Sequence, residues 1–355
     1  MVPTTSNPVA WCDFTALIIS QSLRCCHVHE HRLAAASPLH LDVVTMCLQR
    51  VVIASSRAAP SSGGSKQHRI VMPRGRHRIA CAQMTSTADF QHNLQTITEL
   101  CKRAKTEACE ALFLPEAFAR IGATDASYAE PLDGPIVRAC CALAKEYGLW
   151  MSLGGYAERD GDGTSGKRFN SHVMIDPRSG EISGDVYRKI HLFDTDAAVG
   201  VDGGGMRESD YTRAGTTLAS YDTTFGKVGA SICYDLRFPD VYQALRFEHK
   251  ADVICVPSAF TKSTGQAHWE VLLRARAIET QCYVVAAAQA GKHGETRESY
   301  GHAMVIDPWG RIVAKMDDPS NEVGIAVADI DLASVDEIRK KMPLAQHRRR
   351  VRAEF

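Results

Sequence analysis

The sequence predicts an α/β layer protein, and three observations carry that expectation. Strand-sized apolar runs alternate with segments of helical period between residues 78 and 307. Two of those runs carry a chemically reactive residue at their ends, Glu116 in Ala111–Phe118 and Cys233 directly after Val228–Ile232. The carboxyl ends of strands are where α/β sheets build their sites. Composition agrees: 45% hydrophobic and 23% charged residues in a chain of 355 are ordinary for a globular enzyme, as one large domain or two small ones.

Taken in order, Arg78–Gln83 is a short apolar run, and a helix is expected from Phe90, where Leu94, Ile97, Leu100 and Cys101 recur in three- and four-residue steps. Ala111–Phe118 reads as an apolar strand ending in a carboxylate. A second helix over Pro135–Tyr147 leads into a strand over Leu149–Tyr156. Val186–Asp194 is strand-like and carries Lys189. Beyond Cys233 the pattern predicts a helix over Pro239–Phe247, a strand over Ala251–Pro257 and a helix over His268–Thr280. Tyr283–Ala288 is one continuous apolar run, and Gly301–Asp307 is a strand closed by Pro308-Trp-Gly310. A faint echo links the two halves. Leu114-Pro-Glu-Ala-Phe118 resembles Val256-Pro-Ser-Ala-Phe260, and Ala80-Cys-Ala-Gln83 resembles Ala286-Ala-Ala-Gln289.

The composition shifts near residue 77, so residues 1–77 are expected to be an extension, 78–350 the folded domain and 351–355 a tail. The extension holds three acids (Asp13, Glu30, Asp42) against eight lysines and arginines. From Met46 onward its arginines and serines occur with no acid before Asp89, the composition of a mitochondrial transit peptide. An extension with no address is the alternative, and Met1, Met46 and Met72 are all possible starts. The expected location is mitochondrial and/or cytoplasmic. Cys25-Cys-His-Val-His-Glu-His31 has ligand-type residues but matches no standard zinc spacing, so no metal is expected there.

The formal net charge is zero, which gives no electrostatic case for nucleic acid or membrane partners, and the longest apolar runs are too short to span a bilayer. The twelve cysteines sit mostly inside apolar segments without a Cys-x-x-Cys pair, as in a reduced intracellular protein.

Cys233 lies in Ser231-Ile-Cys-Tyr-Asp-Leu-Arg-Phe-Pro-Asp240, Glu116 in Leu-Pro-Glu-Ala-Phe, and Lys189 in Tyr-Arg-Lys-Ile-His-Leu-Phe-Asp. Each alone has a plain structural reading: a packed thiol, a solvated carboxylate, an edge lysine. Together, in the order Glu, Lys, Cys, the three words resemble the catalytic triad of the carbon–nitrogen hydrolase (nitrilase) superfamily. The resemblance implies a four-layer αββα sandwich of two related halves. It also implies amide hydrolysis through a Cys233 thioester, with Glu116 as base and Lys189 stabilising the oxyanion, helped by the backbone N–H of Tyr234. No metal or organic cofactor is implied.

An additional glutamate that helps orient the lysine is carried over to Glu208, 19 positions after Lys189; Glu158 is a lower-ranked competitor because it precedes the lysine. Arg237 either recognises a substrate carboxylate or ties down the Cys233 turn through Asp235 or Asp240, the structural role being the simpler expectation. Glu270 and Arg274 are expected to form an i,i+4 pair, and Trp269 to be core.

Longer phrases, from Ala267 to Gln289, Ser299-Tyr-Gly-His302 and Asp307-Pro-Trp-Gly310, are similar to the animal Nit branch of the superfamily. That resemblance implies hydrolysis of deaminated glutathione to 2-oxoglutarate and cysteinylglycine, a metabolite-repair step, by a homodimer. The sibling ω-amidase reaction on 2-oxoglutaramate stays open, as does a non-catalytic role in binding partners.

Overall fold

The computed structural model describes residues 75–122, 128–161, 163–195, 205–295, 297–316 and 323–349; the Cys25–His31 tract, the three possible start methionines and the tail lie outside the described residues. The first half opens with β1 (Arg76–Met84), α1 (Phe90–Thr106), β2 (Ala111–Leu114), α2 (Pro135–Tyr147), β3 (Trp150–Arg159) and β4 (Arg168–Asp176). Short strands β5 (Glu181–Ile182), β6 (Tyr187–Arg188), β7 (Asp194–Thr195) and β8 (Met206–Arg207) follow. The second half repeats the scheme with β9 (Ser220–Thr223), β10 (Gly226–Ala230), α3 (Pro239–Phe247), β11 (Val253–Cys255), α4 (Lys262–Thr280) and β12 (Tyr283–Ala286). It closes with β13 (Ala288–Lys292), β14 (Glu298–Tyr300), β15 (Met304–Ile306), β16 (Ile312–Lys315), β17 (Gly324–Asp331), α5 (Leu332–Lys341) and α6 (Leu344–His347).

The strands form two main sheets. In the first, β1, β2 and β3 run parallel, β4 is antiparallel to β3, and β17 lies antiparallel along nearly the whole of β1. The second runs β16-β15-β12-β11-β10-β9, with β10, β11 and β12 parallel. Side-chain alternation makes the layers. Ile79 and Cys81 of β1, and Ala111 and Phe113 of β2, join the core between the sheets. Their neighbours Ala80, Ala82, Leu112 and Leu114 point the other way, onto Ile97 and Leu100 of α1 and Val137 and Leu143 of α2. On the far side α3 and α4 cover the second sheet through Leu245, Trp269 and Leu273. Helix, sheet, sheet, helix is the expected four-layer sandwich.

Local chemistry supports each boundary. The Asp89 carboxylate caps α1 by accepting from the Gln91 N–H at 2.8 Å, and Arg103 and Lys105 occupy its last turn. Pro135 opens α2, and Gly148 ends it at φ +65°. The predicted helix over His268–Thr280 begins six residues earlier, at Lys262; its first turns carry polar residues and Gly265, which hide the apolar period.

Two departures shape the site. The run Tyr283–Ala288 is not one strand. It leaves the second sheet after Ala286 and enters the first at Ala288, so a single residue, Ala287, carries the chain between sheets. The echo of Leu114–Phe118 in Val256–Phe260 has structural meaning, since each follows the middle parallel strand of its half. Ala80–Gln83 and Ala286–Gln289 do not correspond: the first lies within β1, whereas the second spans the end of β12, Ala287 and the start of β13, which pairs with β1. No helix among the described residues is long and apolar enough to cross a membrane.

Candidate active site

Three chain segments deliver the expected residues to one point. Cys233 starts a 3-10 turn (Cys233–Arg237) just past β10 and takes φ +47°, a left-handed conformation unusual for a side chain that is not glycine. Its N–H donates to the Pro257 carbonyl at 2.9 Å, pinning the turn to the end of β11. Glu116 follows β2, and its backbone is held by the Gln289 amide, which donates to the Glu116 carbonyl at 3.0 Å. Gly154 and Gly155, at a register shift in β3, make room underneath. A Cβ on Gly154 would stand 2.0 Å from the Pro257 side chain, and one on Gly155 would stand 2.5 Å from that of Glu116.

Lys189 lies just beyond the two-residue strand β6, not within a longer strand as its surroundings suggested, and its N–H still pairs with the Asn170 carbonyl of β4 at 2.8 Å. Its side chain is 2% exposed. It donates to Glu116 Oε1 at 3.0 Å and to both oxygens of Glu208, at 2.9 and 3.2 Å. Glu208 reaches this position because the β7–β8 ladder folds its segment back, and the Phe193 N–H donates to its Oε2 at 2.8 Å. The expected contact of Glu208 with the lysine is therefore present. Glu158 makes a different one: it accepts from Ser171 at 2.6 Å and pairs with Arg188, one residue before the lysine.

Burial and charge set the protonation states. Desolvation alone would raise the Glu116 pKa, but the Lys189 ammonium and hydrogen bonds from Cys233, Lys189 and Asn170 outweigh it and hold the carboxyl below its usual range. Lys189 shows the same balance in reverse: burial disfavours its charge, and the two carboxylates override that. The Cys233 thiol is pushed well up, by burial first and by the Glu116 charge second. The resting arrangement is thus a neutral thiol beside an ionised carboxylate.

Asn170 escaped the sequence reading. Its Nδ2 donates to Glu116 at 2.9 Å and to Glu208 at 3.0 Å, tying the two carboxylates together. Only the adjacency of β4 to β6 reveals it, and no local motif marks it. Asp235, expected as a partner for Arg237, is instead the anchor of the turn. Its Oδ1 accepts from the N–H and ring Nδ1 of His191, and its Oδ2 from Tyr187 Oη at 2.6 Å and the Ile232 N–H at 2.9 Å. The Cys233 turn and the Lys189 segment are thereby fixed to each other. Arg237 does not tie the turn through Asp235 or Asp240. It lies over the rings of Tyr234 and Phe260, near His268 Nδ1, and faces the cleft. Trp269 is core, with its indole N–H on the His302 carbonyl, and Glu270 and Arg274 pair at 3.7 Å.

A cleft opens above the three residues, walled by Tyr128, Phe169, Phe193, Tyr211 and Phe260. Among the described residues no group of three or more His, Cys, Asp and Glu side chains is placed to hold a metal ion.

Residues 78–340 match the model of the carbon–nitrogen hydrolase family. The chain belongs to that family. It is 46% identical over 278 residues to a Mus musculus protein named deaminated glutathione amidase, covering 76% of this chain and 83% of that one. The crystal structure of the Caenorhabditis elegans NitFhit protein superposes with a TM-score of 0.70 at 43% identity, covering 78% of this chain. The match spans 65% of the NitFhit chain. Saccharomyces cerevisiae Nit3, described as a member of branch 10 of the nitrilase superfamily, gives a TM-score of 0.64 at 28% identity, over 76% of this chain and 95% of that one. The αββα sandwich and the class of reaction, hydrolysis of a carbon–nitrogen bond, follow from membership.

Proposed function

We propose that this carbon–nitrogen hydrolase is an amidase that cleaves deaminated glutathione to 2-oxoglutarate and cysteinylglycine, with Cys233 as nucleophile. The observation that carries the reading is the Glu116–Lys189–Cys233 cluster, in a chain 46% identical to a protein named for that activity. An amide is a weak electrophile, and sulfur meets that difficulty by forming a thioester that water can later open. A buried neutral thiol needs a base. Glu116, ionised and hydrogen-bonded to Cys233, takes the Sγ proton as sulfur attacks the carbonyl.

The oxyanion that develops is stabilised by the Lys189 ammonium and the Tyr234 N–H. The neighbouring amides of Cys233 and Asp235 are committed to the Pro257 and Ile232 carbonyls. As the carbon–nitrogen bond breaks, Glu116 returns the proton to the departing amine, leaving the acyl group on sulfur. Glu116 then deprotonates a water that attacks the thioester, releasing the carboxylate product and the thiol. Glu208 and Asn170 position Lys189 and Glu116.

Product analysis by mass spectrometry, with deaminated glutathione and 2-oxoglutaramate offered side by side, tests the reading. Preference for deaminated glutathione, lost in Cys233→Ala, is expected. Preference for 2-oxoglutaramate would move the chain to the ω-amidase reaction. Turnover of neither by folded protein would leave a role in binding partners. We also propose a homodimer, and a metabolite-repair role in mitochondria and/or cytoplasm; imaging the full chain with a C-terminal tag checks the address.

A further inference from the structure

The cleft above Cys233 carries Lys189 and four arginines against two carboxylates, Glu116 and Glu208, both already engaged by the lysine. Such an excess of cations suits a substrate with several negative charges and is wasted on a neutral amide. Two of the arginines, Arg237 and Arg297, have no carboxylate partner among the described residues, and a guanidinium in a partly desolvated cleft favours bidentate carboxylate binding.

They come from different segments of the chain. Arg237 belongs to the turn that carries the nucleophile and rests on the Tyr234 and Phe260 rings. Arg297 reaches in from β13–β14, where its Nη2 lies 3.5 Å from the Ala259 carbonyl. The N–H of that same residue, Ala259, donates to Glu116 Oε2 at 3.1 Å. Arg297 therefore stands on the Glu116 edge of the cleft. Its backbone is held firmly: the His293 N–H donates to the Arg297 carbonyl at 2.8 Å, and the buried His293 ring bonds the Ser86 carbonyl and the Ser299 hydroxyl.

We propose that Arg297 is a specificity-determining residue that binds the carboxylate of the departing amine, while Arg237 binds the carboxylate of the acyl group retained on Cys233. The inference rests on the proposed mechanism, in which Glu116 protonates the leaving nitrogen, so the leaving group must lie on the Glu116 edge. The preferred substrate class is then an amide with one carboxylate on each side of the scissile bond. Deaminated glutathione fits, with a 2-oxo acid at one end and the glycine carboxylate at the other. A primary amide such as 2-oxoglutaramate releases ammonia and leaves Arg297 idle.

The test compares the full-length protein with Arg297→Gln and Arg297→Lys on three amides: deaminated glutathione, the same compound with its glycine carboxylate converted to an amide, and 2-oxoglutaramate. Arg297→Gln is expected to lower kcat/KM for deaminated glutathione by about 10- to 100-fold, mainly through KM, as loss of a charged hydrogen bond does. The other two substrates should change by less than about twofold, the usual margin for a residue that touches neither. Arg297→Lys should recover part of the loss. Equal losses on all three substrates, or no loss on deaminated glutathione, would overturn the assignment while leaving the amidase reading intact. A wild-type protein that does not turn over deaminated glutathione at all would sink that reading, and this inference with it.

Discussion

Cys233 holds its thiol in a strained backbone conformation next to a carboxylate that stays ionised, and both features have kinetic consequences. Because the Glu116 pKa lies below its usual 4.5, the base is competent above that pH and lost only below it. Because the thiol pKa lies above its usual 9.0, thiol ionisation adds no alkaline limb near neutrality. The profile of kcat/KM should therefore be flat from about pH 5 upward through neutrality. Asn170→Asp places a third carboxylate beside Glu116 and Glu208, which favours the protonated form of Glu116. Its acid limb should move to higher pH, and a pH–rate series on the folded variant checks this. An unchanged limb would mean that Asn170 does not set the charge balance of the site. Glu116→Gln should lower kcat by roughly 10²- to 10⁴-fold with the fold intact by circular dichroism.

At the scale of elements, the site is a product of close sheet-to-sheet contact. Gly154→Ala forces a methyl group against Pro257 and the Leu114 carbonyl, and such overpacking should cost about 1–3 kcal/mol in chemical denaturation. Between the sheets, His172 bonds Ser152 at 2.7 Å and Tyr221 at 3.1 Å, and burial brings its pKa down to about 3. The unfolded chain takes up this proton below about pH 6.5, and the fold does not until near pH 3. Stability should fall as pH drops through that window, by about 1–2 kcal/mol between pH 7 and pH 5 from this residue. His172→Gln should flatten that part of the denaturation series; the same slope in both proteins would contradict the assignment.

The catalytic words were legible because each joins a strand end to a reactive residue within a few positions. Asn170 and the Asp235–His191–Tyr187 anchor were not, because their partners lie 30 or more positions away and are set by strand order. The switch of sheets at Ala287 was likewise invisible, since both strands read as one apolar run.

For the whole molecule, the surface of α4 bears on the proposed dimer. Val271 and Ile278, seven residues apart on that helix, are 69% and 50% exposed, and Gly310, which follows the 57%-exposed Trp309, lies against Ile278. Exposed apolar side chains clustered in this way mark association surfaces. Ile278→Asp should shift the protein toward monomer in light scattering; an unchanged mass would place any interface elsewhere.

The proposed role of Cys233 as the nucleophile is tested most directly by quenching the full-length enzyme during turnover of deaminated glutathione and locating the acyl group by peptide mass spectrometry. The account predicts a 2-oxoglutaryl adduct on the peptide containing Cys233, absent from Cys233→Ala, which should also lose at least about 10³-fold in kcat. Turnover that persists in Cys233→Ala, or an adduct on another residue, would contradict it.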